Sequence, residues 1–425
     1  MMERFYKTEI SEYLEELGEE LDITQKEHEG IVKSYEAVGN WLSKADSSLT
    51  PYNPKILPQG SFMLGTMVKP INPADDIDID LVCKLERKPI AWTQRDLKIK
   101  IGNQLKSNST YDRMLGDHNN GENYDEGGRR CWTLKYADVA GYHMDILPSF
   151  SSENLTYLME KTFSMDSVLN ERELEVLAIR ITDTEKENYK TDNNIENWHK
   201  SNPFGYAQWF LQKALISKRK MFSLNESIDP VRKYEREKLP LQRVVQLLKR
   251  HRDIMFSSDE FESENRPISV IINTLAALAY DRSENLIDAY SGIVQRMRNF
   301  ITERLNPLTG QYEKWVVNPI NKVENFADKW SDVRQKEEYF YLWLDKLEED
   351  LEKLNNSDGK GLQYLNESLS KMYGKEVTRR VFVNHSKKNV DLREQGKLKM
   401  ALGTGMLGSI GVKVQNHNFE GDFGK

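Results

Sequence analysis

Hydrophobic positions recur along this chain with two different periods. Ile10, Tyr13, Leu14, Leu17 and Leu21 form a helical stripe. A second helix starts at a T-x-x-E capping box, Thr24 to Glu27, and carries Ile31, Tyr35, Val38 and Leu42 at spacings of three and four. Pro51, Pro54 and Pro58 then break helical order. Near residue 77 the period falls to two. Ile77, Ile79, Leu81 and Cys83 take one face of a predicted strand, and Asp76, Asp78, Asp80 and Val82 take the other. Helical spacing returns in Leu97, Ile101 and Leu105, behind Thr93 as N-cap. The runs 131–136 and 142–147 predict a β-hairpin, with Pro148 expected to end its second strand. In that strand Tyr142, Met144 and Ile146 share one face, and His143, Asp145 and Leu147 share the other.

The second half reads as helical. Tyr206, Trp209, Phe210, Ala214 and Leu215 read as core. Residues 239–256 predict a strong helix with Pro240 in its first turn. Val244, Leu247, Leu248, His251 and Met255 outline its buried side; Lys249, Arg250 and Arg252 make it locally basic. The run from Arg266 opens an almost wholly apolar helix, central to its bundle, with Ser269 in the first turn. Residues 334–355 and 360–373 predict amphipathic helices. Between these elements, 117–128 is a polar, Gly-rich loop holding His118 as a solvated residue, and 183–200 is a polar surface segment near a boundary. The pattern implies an α+β fold: a mixed sheet flanked by helices, then a helical bundle. It divides the chain into a core at 1–200, a helical domain at 201–400, and a Gly-rich tail at 401–425 expected to be poorly ordered.

Composition narrows the function classes. With 425 residues, 38% hydrophobic and 30% charged, the chain reads as a soluble protein of two or three domains. It shows no apolar run of membrane-spanning length and no signal-peptide core at its start. Two cysteines, Cys83 and Cys131, are too few for a zinc site and read as reduced core residues of a cytoplasmic protein. A net charge of -7 argues against constitutive binding of long nucleic acid, while leaving room for a basic pocket that takes a small anion.

The acids at 76–80 are the candidate chemistry. Neighbouring acids on one strand face stand ~6.6–7 Å apart along the chain. Their carboxylates can converge on two cations ~3.5–4 Å apart, as in phosphoryl transfer. Hard oxygen donors favour Mg2+ or Mn2+. The spacing fails the EF-hand pattern, and a solvated edge strand would carry Lys as well. Upstream, Gln59-Gly60-Ser61 makes a turn where Gly permits close approach to a phosphate and Ser adds a donor. Asp145, alone between apolar neighbours, needs a cation or hydrogen-bond partners.

A Gly-Ser turn, an Asp-x-Asp strand and a separate strand Asp resemble the polymerase-β-like nucleotidyltransferases. The wording QGSFMLGT, DIDLVCKLE and HMDILPS resembles the bacterial cGAS/DncV-like nucleotidyltransferases, or CD-NTases, in particular. The resemblance runs in separated blocks from about 55 to 335. It favours Asp78 and Asp80 as the Asp pair, although Asp76 and Asp78 fit the same pattern. It implies a two-lobed, oligoadenylate-synthase-like fold with a central cleft. Two Mg2+ ions (or Mn2+) would be held by Asp78, Asp80 and Asp145. Gln59, Gly60, Ser61, Lys249 and Ser269 would bind the triphosphate, and Asp328 a base or ribose. The implied activity is template-independent synthesis of a cyclic di- or oligonucleotide from NTPs, releasing pyrophosphate. Such products serve antiphage (CBASS-type) signalling by activating a separate effector. Some members also have their tails processed by an ancillary ubiquitin-transferase-like protein. Other classes stay open: transfer to RNA, protein or a small molecule, and a non-catalytic nucleotide sensor.

Overall fold

The computed structural model describes residues 2–72, 75–119, 125–136, 141–153, 155, 157–159, 170–215, 234–306, 309–357, 359–400, 407–408 and 411–414. The tail expected to be poorly ordered lies mostly outside these residues. The described part of it, with Lys399–Met400, pairs Leu407–Gly408 and Val412–Lys413 into a small antiparallel sheet.

The chain packs as two units. One comprises 23–242 and 317–325; the other comprises 1–22, 243–316 and 326–425. The first is built on a mixed sheet of β1 (Lys55–Pro58), β2 (Ile77–Leu85), β3 (Trp132–Lys135), β4 (Tyr142–Phe150), β5 (Ile179–Ile181) and β6 (His199–Ser201). Its order is β1-β2-β4-β5-β6, with β3 pairing β4. Only β2 and β4 run parallel. The alternation in β2 does as the sequence predicts. Ile79, Leu81, Cys83 and Leu85 are fully buried against α2 (Gln25–Ser43) and α4 (Gln94–Lys106) in one core cluster. Thr24 and Thr93 both close capping boxes, with Glu27 and Asp96.

Three expectations need correction here. Pro148 does not end β4, which runs on to Phe150 with Pro148 opposite Cys83. On its other edge β3 pairing stops at Ile146 and β5 pairing starts at Ser149. The proline therefore falls where no partner on that edge needs its missing N–H. Residues 117–119 are helical, ending α5 (Ser109–Asn119), which the sequence reading missed; 120–124 lie outside the described residues. The 183–200 segment is not simply a surface loop. Asp183 is fully buried, chelated by Arg129 and Arg130, and their hydrogen bonds hold its carboxyl well below the usual range against the opposing effect of burial. The same segment contributes β6.

The second unit is helical. α1 (Met2–Leu21) packs on two helices of that unit, α9 (Leu286–Met297) and α12 (Lys375–Glu394). α8 (Ser269–Ala279), α10 (Arg334–Asn355) and α11 (Gly361–Tyr373) complete the set, with a hairpin of β7 (Thr302–Leu305) and β8 (Tyr312–Trp315). α7 (Pro240–Met255) follows α6 (Pro203–Ala214) in the chain and belongs to this unit from Arg243 onward. No described helix is long and apolar enough to cross a membrane.

Candidate active site

Parallel pairing of β2 with β4 sets the site. Asp78 lies opposite His143, and Asp80 opposite Asp145. Residues two apart share a face, so these four side chains form a square on the side of the sheet away from the α2–α4 core. Asp78, His143 and Asp145 each offer a ligand atom, and these atoms lie within 4.8 Å of one another. Among the described residues no other His, Cys, Asp and Glu side chains gather this tightly. This group could hold a divalent cation.

Each corner has distinct surroundings. The Asp78 side chain is 62% exposed, and its Oδ1 stands 3.2 Å from His143 Nε2. The hydrogen bond to Asp78 raises the imidazole pKa above its ordinary value, with burial opposing it. Asp76, the alternative partner in the Asp pair, reaches only 4.0 Å from His143 Nδ1. Thr133 of β3, opposite Asp145, donates its hydroxyl to Asp145 Oδ1. Cys131 lies close by. Burial first, then the charges of Asp145 and Asp80, push its thiol pKa up, so it stays protonated. Lys98 is fully buried, donates to the Gly128 carbonyl, and is brought down to about 8 by desolvation.

The fourth corner, Asp80, faces the Gly-Ser turn. β1 pairs antiparallel with β2, bringing Pro58 opposite Leu81, and the Gln59 N–H donates to the Asp80 carbonyl at 2.9 Å. Gln59 is the N-cap of the short helix α3 (Gly60–Leu64). Gly60 has φ +60, and a Cβ built on it would stand 2.3 Å from Asp80 Oδ2. Only glycine satisfies both the backbone conformation and the contact. Ser61 follows in the first turn, its carbonyl taking the Thr66 N–H at 3.0 Å. At the other end of α3, Gln242 Nε2 donates to the Leu64 carbonyl at 2.8 Å, so the turn is held from both ends.

The structure thus brings Gln59, Gly60, Ser61, Asp78, Asp80 and Asp145 together in the sheet unit and adds His143. The sequence placed His143 on the Asp145 face without giving it a role. The strand register that pairs it with Asp78 was the missing information. Lys249, Ser269 and Asp328 belong to the helical unit. Lys249, one of the residues that make α7 locally basic, is only 5% exposed. Ser269 begins α8, and its hydroxyl accepts from Arg252 at 3.1 Å. Asp328 is exposed and opens a single turn, Asp328–Trp330.

Residues 54–149, which hold β1, α3, β2, β3 and nearly all of β4, match the family described as cyclic GMP-AMP synthase DncV-like, nucleotidyltransferase domain. That segment is similar to the nucleotidyltransferase domain of the DncV-like family. A c-di-GMP synthase of Roseivirga ehrenbergii is 27% identical over 357 residues, covering 83% of this chain and 81% of that protein. Cyclic dinucleotide synthase CdnG of Bradyrhizobium diazoefficiens is 23% identical over 388 residues, 86% of this chain and 81% of its own length. The solved structure of that CdnG in complex with GTP shares the fold, with a TM-score of 0.61 at 20% identity, over 88% of this chain and 99% of the solved chain.

Proposed function

We propose that this nucleotidyltransferase joins NTPs into a cyclic dinucleotide without a template, releasing pyrophosphate, with GTP among its substrates. The observation that carries this reading is the trio of carboxylates, Asp78, Asp80 and Asp145, on one face of β2 and β4, set by strand register against the Gly60–Ser61 turn. A chain that places three acids on one sheet face meets strong repulsion unless cations are present.

Asp78, Asp80 and Asp145 are assigned to two Mg2+ or Mn2+ ions, and the oxygen donor set fits such ions. When bound, these ions lower the pKa of an acceptor ribose hydroxyl and offset charge on the departing pyrophosphate. Asp145 is assigned to take up the hydroxyl proton through Oδ2, a reading supported by Thr133 donating to Oδ1. Gly60 and Ser61 with Gln59 are assigned to the phosphates of the NTP. On the family resemblance Lys249 and Ser269 also bind the triphosphate, and Asp328 a base or ribose. A cyclic dinucleotide is a diffusible product, which fits cytoplasmic antiphage signalling through a separate effector.

The test is incubation of the full chain with each NTP, and with all four, in Mg2+ or Mn2+, followed by mass spectrometry. GTP-dependent cyclic dinucleotide, in c-di-GMP or mixed form, is the expected product. Linear products alone, or label recovered only on RNA or protein, would overturn the cyclase reading.

A further inference from the structure

We propose that His143 is itself a metal ligand, making one cation position of the square a mixed nitrogen–oxygen site that favours Mn2+ or Co2+ over Mg2+. This rests on the nucleotidyltransferase reading only in taking the square as a cation site.

The argument starts from register. In the parallel pair His143 is directly opposite Asp78 and two residues before Asp145, so all three side chains leave the same face. Its Nε2 points at Asp78 Oδ1, 3.2 Å away, rather than into the core. The tight group of possible donors is Asp78, His143 and Asp145, within 4.8 Å of one another. Asp80 is turned toward Gly60 instead. An ion with donors at ~2.0–2.2 Å spans ~4.0–4.4 Å between opposite ligands, so small side-chain rotations suffice. The group is also reachable: His143 is 24% and Asp78 62% exposed at the side chain.

Donor chemistry sets the selectivity. Mg2+ takes carboxylate and water oxygens, whereas imidazole suits first-row transition metals. Asp78 and Asp145 alone would serve Mg2+ well. Adding an imidazole raises affinity along the Irving–Williams series, so Co2+ gains more than Mn2+, and Mn2+ more than Mg2+. The competing account makes His143 a positioning residue that only holds Asp78 by a hydrogen bond. It predicts equal losses for all cations when His143 is replaced.

The experiment loads the full chain with Mn2+ alone, without nucleotide, and records pulsed electron paramagnetic resonance for 14N coupling. Titrations with Mn2+, Co2+ and Mg2+ follow. Wild type should show an imidazole 14N coupling that disappears in His143→Gln. That variant should lose about tenfold in Mn2+ affinity, more for Co2+, and less than about threefold for Mg2+. His143→Asn provides a second variant if Gln disturbs folding, and the wild-type spectrum is decisive by itself in one direction. Absence of 14N coupling in wild type, or equal losses for all three cations, overturns the proposal. The readout does not need turnover. Coupling in a chain that makes no nucleotide product would sink the proposed function and leave the ligand assignment standing. Product formation without coupling would do the reverse.

Discussion

The acid face of the sheet and helix α7 both concentrate charge, and they do so under opposite rules. On the sheet, Asp78, Asp80 and Asp145 face solvent-accessible space with like-charged neighbours, relieved by His143 and Thr133. On α7, Arg243, Lys249, Arg250 and Arg252 are buried, at 0%, 5%, 3% and 7% exposure. Arg243 shows how a buried cation is kept. Its guanidinium meets Glu15 and Asp22 at 2.7 Å each and Gln246 at 2.9 Å. Gly18 of α1 leaves the space through which its stem passes, since a Cβ there would stand 2.6 Å from Arg243 Cδ. Arg252 likewise meets Asp253, the Pro267 carbonyl and the Ser269 hydroxyl, whereas the sheet acids gather like charge at an accessible face. Like charges gathered at an accessible face point to a ligand, and a buried charge held by close partners of opposite sign points to structure.

The sharpest way to break this contrast is to remove charge from each side. Asp78→Asn with Asp80→Asn should lower nucleotide incorporation by at least about a thousandfold, ~4 kcal/mol of transition-state stabilisation. The thermal midpoint without metal should hold or rise, because repulsion is relieved. Steady-state kinetics and metal-free melting check both halves, and a fall in the midpoint would mean these acids are structural. Arg243→Met should do the opposite. Losing the cation strands Asp22 and Glu15, and breaking a buried pair costs about 3–5 kcal/mol. Denaturant unfolding measures it; a loss below about 1 kcal/mol would place Arg243 among the dispensable surface pairs.

Much of this contrast was legible from residue order, and the missing part has a physical cause. Period-two alternation told which face of β2 carried acids, because a strand's side chains must alternate. The capping boxes at Thr24 and Thr93 were readable for a similar local reason. Partnering was not readable. That Asp78 meets His143 depends on the offset between two strands some 60 positions apart in the chain. Likewise α7 follows the helical stripe expected of it, yet its basic positions are covered by elements distant in sequence. Helical period identifies one apolar side; it does not say that the other side is wet. Helices α5, α9 and α12 were not predicted; of these α12 buries only Val377, Thr378, Val381 and His385 and gains its order from packing. Pro148 misled for the same reason, since the cost of a missing N–H depends on whether a neighbouring strand asks for it.

The smallest expected effect tests whether a buried, partnered charge also leaves a pH signature in the helical unit. His385 of α12 stacks on Tyr13 of α1 at 4.4 Å and bonds Glu16 at 3.3 Å through Nδ1. Lys388 meets the same Glu16 oxygen at 2.7 Å. Burial disfavours the imidazolium, but Glu16 outweighs it and holds the His385 pKa above its ordinary value. Burial likewise works against the Glu16 carboxylate, and His385 with Lys388 keeps its pKa below the ordinary value. The signs then follow from linkage. The His385 contribution is complete below ~6.5, its unfolded value, and is lost as pH rises through the higher folded value. The Glu16 contribution is complete above its unfolded value and is lost as pH falls through the lower folded one. Stability from this pair should therefore peak between about pH 5 and 6.5 and decline toward pH 8. His385→Gln keeps a side chain of similar reach but cannot titrate. It should flatten the alkaline limb above pH 6.5, leaving the acid limb, where Lys388 still holds Glu16, largely in place. Denaturant unfolding at closely spaced pH values, in wild type and variant side by side, reads the two slopes. If they coincide above pH 6.5, His385 does not gain its proton on folding, and the pair belongs with the uncharged packing of α1 on α12.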